Sequence, residues 1–214
     1  DRTVANAKKA LEILDKYAPV KRSSFEGKKV ISINQYNRFY SKEAKAVSDI
    51  WDIVEYEKEI SKLKSEISKN LNQIQSLLPW VSFDMDMDLK GTKSTSVIIG
   101  SIPFKMSEEE ITLKIKEENE ALDDIYIETI KGDNITSKES SAITYFYAIC
   151  LSDKKEITEN ALRSLGFSYP SNVISGVPLK QIKKLEEINE SLNNRILQIE
   201  SKIVEAGKNR EEIM

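Results

Sequence analysis

Histidine is absent from all 214 positions. No imidazole is therefore available as a general base, a proton shuttle or a metal ligand, which removes most hydrolase and metalloenzyme templates. There is one cysteine, so no disulfide can form within the chain. Cys150 follows Tyr145, Phe146, Tyr147, Ala148 and Ile149 in a segment that reads as a strand, and without an imidazole partner it is expected to be a buried structural thiol. Such sparing cysteine use fits a reducing compartment. No apolar run approaches the roughly 18 residues of a membrane helix and no signal peptide is visible, so the chain is expected to be soluble as given. It opens at Asp1 without methionine, which suggests a piece of something longer.

Glycine is scarce, and neither Gly91 nor Gly100 belongs to a phosphate-cradling fingerprint, so nucleotide binding is not expected. Asp84, Asp86 and Asp88 imitate the opening of an EF-hand loop, but its sixth position holds Leu89 instead of glycine and its twelfth Thr95 instead of glutamate. The alternation with Met85 and Met87 reads instead as an extended segment with one wet face. Lys21, Arg22, Lys28 and Lys29 form a small basic cluster, but the net charge is −3 and Phe25 is the one aromatic residue within it before Tyr36, which argues against nucleic-acid binding. Asn134, Ile135 and Thr136 form a glycosylation sequon without meaning in a reducing compartment. Composition thus nominates no catalytic, cofactor-binding or metal-binding residue.

What is present is periodicity. Apolar residues at Ile53, Ile60, Leu63, Ile67, Leu71, Ile74 and Leu78 recur near every 3.6 residues and predict a long, nearly straight helix from Ser41 to Leu78. It would extend about 57 Å at roughly 1.5 Å per residue. Ser41 is its expected N-cap and Pro79 its stop. Ile182, Leu185, Leu192, Ile196, Ile199, Ile203 and Ala206, with Asn189 in the vacant seam position, predict a second long helix opening at Pro178. An antiparallel pairing sets Leu78 near Ile182, Ile74 near Leu185, Ile67 near Leu192, Leu63 near Ile196 and Ile60 near Ile199. Polar residues, glutamate and lysine foremost, fill most of the positions off the stripe, which favours a two-helix rod over ordinary helices of one globular bundle. Val4, Ala7, Leu11 and Leu14 predict a short helix ending by Pro19, and Lys21 to Tyr40 reads as an ordered loop packed on the rod.

Between the prolines the pattern changes. Thr95 to Ile102 is β-branched and predicts a central strand. Ser107 opens an acidic helix running to Leu122, with a capping box to Glu110 and a buried stripe of Ile111, Ile115 and Leu122. Asp124 to Ile130 and Ser141 to Leu151 read as strands joined by a hairpin loop around Gly132, Asp133 and Asn134. Asp153 is expected to cap a helix through Leu165 that Gly166 ends, and Ser168 to Ile174 supplies a short last edge strand. This order predicts an α+β fold: a long antiparallel helical hairpin carrying a ferredoxin-like βαββαβ lobe at its tip. The expected domains are 1–79 (short helix, loop and first long helix), 80–177 (the lobe) and 178–214 (the returning helix).

Five stretches carry a family resemblance: ALEILDKYAPVKRSSF from Ala10 to Phe25, LLPW from Leu77 to Trp80, FDMDMDLKGTKSTSVIIGSIP from Phe83 to Pro103, ALRSLGF from Ala161 to Phe167, and GVPLKQIKKLEEI from Gly176 to Ile188. In this order they resemble the cytoplasmic N-terminal region of subunit I, or subunit a, of prokaryotic V-type or A-type ATP synthases, over essentially the whole chain. The resemblance implies a non-catalytic stator arm on the cytoplasmic side of the cell membrane. Its distal lobe would bind a peripheral-stalk heterodimer of the E and G type, and membrane attachment and ion translocation would belong to a C-terminal domain absent here. The chain lacks the opening strand and helix of the family's proximal lobe.

Two readings from other classes stand beside it. A coiled-coil scaffold would dimerise, and a regulatory ferredoxin-like module would bind a small ligand at a strand-helix junction such as Gly100 to Met106, where Pro103 and Phe104 look more like a packed turn. For a stator arm, the docking candidates are the acidic helix from Ser107 to Leu122 and an exposed edge strand. Trp51 and Trp80 are expected to be core residues rather than partner hot spots.

Overall fold

The computed structural model describes residues 2–20, 32–33, 43–131, 142–171 and 175–213. The Ser41 cap, the basic cluster, nearly all of the 21–40 loop, the 132–140 hairpin with its sequon, and the end of the last strand lie outside the described residues.

Helix α1 spans Arg2–Tyr17 and α2 Glu43–Leu77. A 3-10 turn, Leu78–Trp80, follows. Then come β1 (Thr95–Ile102), α3 (Glu108–Glu118), β2 (Tyr126–Ile130), β3 (Thr144–Leu151), α4 (Lys155–Ser164), α5 (Pro178–Ala206) and the short α6 (Arg210–Ile213). The chain divides into two compact units, residues 1–68 with 188–214 and residues 69–187. The two long helices pack together, and each contributes to both units.

In the first unit α1 lays Ala10, Ile13 and Leu14 against Ile50, Ile53, Val54 and Ile60 of α2 and Ile196, Ile199 and Ile203 of α5. Leu63 and Ile67 sit at the margin of this cluster, so the expected neighbourhood of Ile60, Ile196 and Ile199 is present. Polar ties flank it. Lys16 Nζ reaches Glu57 Oε1 at 2.8 Å, Arg195 Nε donates to Glu59 Oε1 at 3.1 Å, and Arg210 donates to Asp15.

In the second unit Ile74 and Leu77 cluster with Ile182 and Leu185. Here the seam departs from expectation. Leu71 is 50 % exposed and Leu78 38 %, whereas Asn70 and Leu77 are buried. The buried positions 60, 74 and 77, with 63 and 67 half-buried and 70 between them, step by three and four in heptad rhythm, which is the period of a helix wrapped on a partner and not of an isolated one. Leu77 takes the place expected for Leu78 because Pro79 converts the next turn to 3-10 geometry. On α5, Asn189 is buried in its expected seam position.

The sheet has the order β1-β3-β2, antiparallel throughout. Thr95 pairs with Leu151 and Ile102 with Thr144, while Tyr126 pairs with Ile149 and Ile130 with Tyr145. Ser168 makes a single antiparallel bridge to Ser101 on the other side of β1, so the expected last strand is one bridge long among the described residues. That is the ferredoxin-like order with a minimal fourth strand. Close approach makes the bridge possible: a Cβ on Gly100 would lie 2.1 Å from Phe167 Cε2 and 2.5 Å from the Ser168 carbonyl oxygen.

β3 alternates strictly, so its two faces serve two cores. Phe146, Ala148 and Cys150 face a core with Ile98, Ile102, Ile111, Ile115, Leu122 and Leu162. The thiol is thus buried, as its setting predicted. Tyr145 and Tyr147 pack on the other side with Trp80, Phe83, Met87 and Ile99. Trp80 meets Tyr145 edge-on at 5.1 Å and Phe83 meets Tyr147 at 5.5 Å. The Asp84 to Asp88 segment therefore points its methionines inward and its carboxylates outward, as read from the alternation.

Local signals at α4 divide. Gly166, at φ +79°, ends the helix in a Schellman arrangement, with Gly166 N donating to Arg163 O and Phe167 N to Leu162 O. Asp153 does not cap it. Asp153 belongs to a 3-10 turn, Ser152–Lys154, and α4 begins at Lys155 without a side-chain cap.

Candidate docking surface

Among the described residues, no group of three or more histidine, cysteine, aspartate or glutamate side chains is placed to hold a metal ion. Of the carboxylates at Asp84, Asp86 and Asp88, that of Asp86 serves the backbone. Asp86 Oδ1 accepts from Asp88 N at 2.8 Å and from Gly176 N at 2.7 Å, and these donors hold its carboxyl below the usual range. Asp88 pairs with Lys90.

The acidic helix is built as its sequence foretold at one end only. Ser107 Oγ accepts from Glu110 N at 3.2 Å while Glu110 Oε2 accepts from Ser107 N at 2.7 Å, a complete capping box. The helix stops at Glu118, before Leu122. Asn119 turns to extended geometry, and its Oδ1 accepts from Ala121 N at 2.9 Å. Leu122 is buried, but from the turn beyond the helix.

The exposed edge of the sheet is β2, and it is guarded. Glu108 Oε1 accepts from both Thr129 N and Thr129 Oγ1 at 2.9 Å, so the first turn of α3 occupies a backbone donor of the edge strand. Beside it Glu128 accepts from Tyr147 and, at 2.7 Å, from Tyr126. The two phenols hold the Glu128 carboxyl below its usual range, Tyr147 more strongly. Burial, and then the Glu128 bond, push the Tyr147 phenol well above its own. Ser82 Oγ donates to Lys131 O at 2.5 Å, at the strand's end.

The turn joining β1 to α3 is pinned from β3. Thr144 Oγ1 donates to Phe104 O at 2.7 Å and receives Met106 N at 2.9 Å. Phe104 was expected to pack, yet its side chain is 59 % exposed. Trp80 is buried as expected, but Trp51 is 42 % exposed. Phe104 and Leu113 are the surface residues that sequence reasoning missed. A signal existed for Leu113, which lies off the Ile111 and Ile115 stripe and so had to face outward. None existed for Phe104, because a turn residue has no period to read. Neither expected docking element stands alone: the acidic helix and the edge strand are bonded into one surface through Glu108.

No helix among the described residues is long and apolar enough to cross a membrane. No protein-family model matches the chain, and no curated protein does. Among solved structures, it is similar to the crystal structure of the cytoplasmic N-terminal domain of subunit I, homolog of subunit a, of V-ATPase, with a TM-score of 0.52 and 12 % sequence identity. The likeness covers 99 % of this chain and 65 % of that one, so the chain spans about 65 % of its solved relative. At this identity the likeness is one of fold.

Proposed function

We propose that this chain is the distal part of a non-catalytic stator arm of a rotary V-type or A-type ATPase. In this reading its ferredoxin-like lobe docks the end of a peripheral-stalk heterodimer of the E and G type, and its paired helices resist rotor torque. The observation that carries the reading is the fold likeness to the subunit I cytoplasmic domain across 99 % of the chain. The helices supply a reason of their own. Two helices sharing a packed seam cannot bend without stretching or compressing contacts along it, and a strut needs this stiffness and no bond-making chemistry.

In this proposal the segments 1–79 and 178–214 form the arm and 80–177 the head. Attachment to the membrane and ion translocation fall to a domain outside this chain, which places the arm on the cytoplasmic side.

The test is calorimetry of the purified chain with a co-expressed peripheral-stalk heterodimer from the same source, with light scattering on the chain alone. The expected result is a complex holding one copy of each of the three chains and a monomeric free chain. No binding, together with a stable homodimer, would overturn the stator reading in favour of a coiled-coil scaffold.

A further inference from the structure

We propose that the groove between α3 and the C-terminal end of α4 seats one helix of a partner, an amphipathic helix whose apolar stripe is flanked by lysine or arginine. This rests on the docking role proposed above and gives it a place and a chemistry.

Three observations converge on the groove. Its volume is about 580 Å³, against about 340 and 270 Å³ for two other hollows of the same unit. Its lining includes Phe104, Met106, Leu113 and Leu165. Leu113 at 61 % and Phe104 at 59 % are the most exposed large apolar side chains described between residues 69 and 187, and both lie here. Apolar side chains left in water and gathered at one concavity mark a surface for a partner. The Phe104 backbone is held by Thr144, so the ring projects from a fixed turn, and little backbone freedom remains to be lost on binding.

The groove's direction selects a helix. Glu110, Leu113 and Glu117 line it at helical spacing along α3, which gives it a length of about 10 Å at 1.5 Å per residue. A partner helix offering side chains at i, i+3 or i+4, and i+7 fits such a slot. Strand addition is disfavoured at the nearby β2 edge, where Glu108 already holds the Thr129 N–H.

Charge selects the flanks. From Glu108 to Glu120 the surface carries six glutamates against two lysines, Lys114 and Lys116. Glu110, Glu117 and Lys114 stand on the groove itself, two carboxylates to one ammonium. A second copy of this chain would set the same carboxylates against one another, whereas a basic helix complements them.

The test uses the whole chain labelled for NMR and three probes: an 18-residue helical peptide of leucine and lysine, its leucine and glutamate counterpart, and the stalk heterodimer. The basic peptide is expected to shift the amides of residues 104–106 and 110–117, and to bind at least tenfold more weakly to the Phe104→Ser, Leu113→Ser double variant. Both positions are exposed, so the variant's circular dichroism and melting should match the parent. Glu117→Lys should weaken the peptide at 50 mM salt and less at 500 mM. Shifts confined to other residues, undiminished binding to the double variant, or equal binding of the acidic peptide would overturn the proposal. Self-association of the free chain that the double variant abolishes would also overturn it. A heterodimer that binds parent and double variant equally leaves the stator arm standing and removes the groove. A heterodimer that binds neither, while the basic peptide seats as described, removes the stator arm and keeps the groove.

Discussion

Glu108 Oε1 and Thr129 are joined twice, through the threonine's backbone N–H and its hydroxyl, each at 2.9 Å. One carboxylate thereby fastens the start of α3 to the outer edge of β2. Replacing Glu108 with alanine leaves both donors without this acceptor and should cost about 1–2 kcal/mol, in the lower range for hydrogen bonds to a charged group because the site is part-buried. The capping box of Ser107 and Glu110 is separate and persists. Urea unfolding of the variant reads the loss, and an unchanged midpoint would show that the pair is ornamental to stability. The uncovered edge should also raise concentration-dependent association in sedimentation.

The seam of α2 makes a second prediction. Leu77 is 2 % exposed and Leu78 is 38 % exposed. Leu77→Ala should destabilise by about 2–4 kcal/mol, through lost transfer energy and the cavity left behind. Leu78→Ala should cost less than about 1 kcal/mol. Equal costs in denaturant melts would return the seam to the assignment that the apolar spacing alone suggested.

Gly100 predicts an intolerance. An alanine methyl there meets the Phe167 ring and the Ser168 carbonyl well inside contact distance, so Phe167 must shift and the Ser101 to Ser168 bridge with it. The expected loss is about 1–3 kcal/mol, the usual cost of overpacking a filled core. Amide exchange at Ser101 and Ser168, whose N–H groups bond each other's carbonyls at 3.0 and 2.9 Å, should quicken more than exchange in β2. Uniform quickening across the sheet would argue against a local clash.

Acid should weaken the lobe through Glu128. Its carboxyl sits below the ordinary value of 4.5 in the folded chain, because Tyr147 and then Tyr126 donate to it. A depressed folded value means the stabilisation is full above pH 4.5 and is lost as pH falls through the lower, folded value. The melting temperature of Glu128→Gln should therefore lie below that of the parent at pH 7 and approach it towards pH 3. A gap that stays constant across this range would show that the two phenols do not depend on the charge.

Much of this was legible because certain residues leave the backbone little choice. Thr95 to Ile102, a β-branched run, became β1 residue for residue, and Ser107 with Glu110 closed its box. Gly166 ended α4 because left-handed geometry was needed there. The seam was misplaced for a physical reason. Apolar spacing favours Leu71 over Asn70, yet the heptad rhythm of a wrapped helix passes through 70, and tertiary packing outweighed the polarity of one side chain. Strict alternation of three and four from Ile60, with no two steps of four in succession, would have found it. Leu122 was assigned to a helix it lies beyond, since burial carries no label for the element that delivers it. Asp153 had the chemistry of a cap, but the preceding 3-10 turn moved the helix start past it. The apolar groove was the least legible feature, because it is made where a turn, α3 and α4 converge, and only half of its exposed pair, Leu113, lies on a periodic element.

Cys150, 2 % exposed between Ile149 and Leu151 of β3, is the chain's single thiol. A thiol reagent therefore has one target, and it can reach that target only when the packed face of the sheet parts. The rate of modification under native conditions is thus a clock for opening of the lobe alone, blind to fraying in the long helices. Read with and without a bound partner, that clock would report how firmly docking clamps the lobe shut.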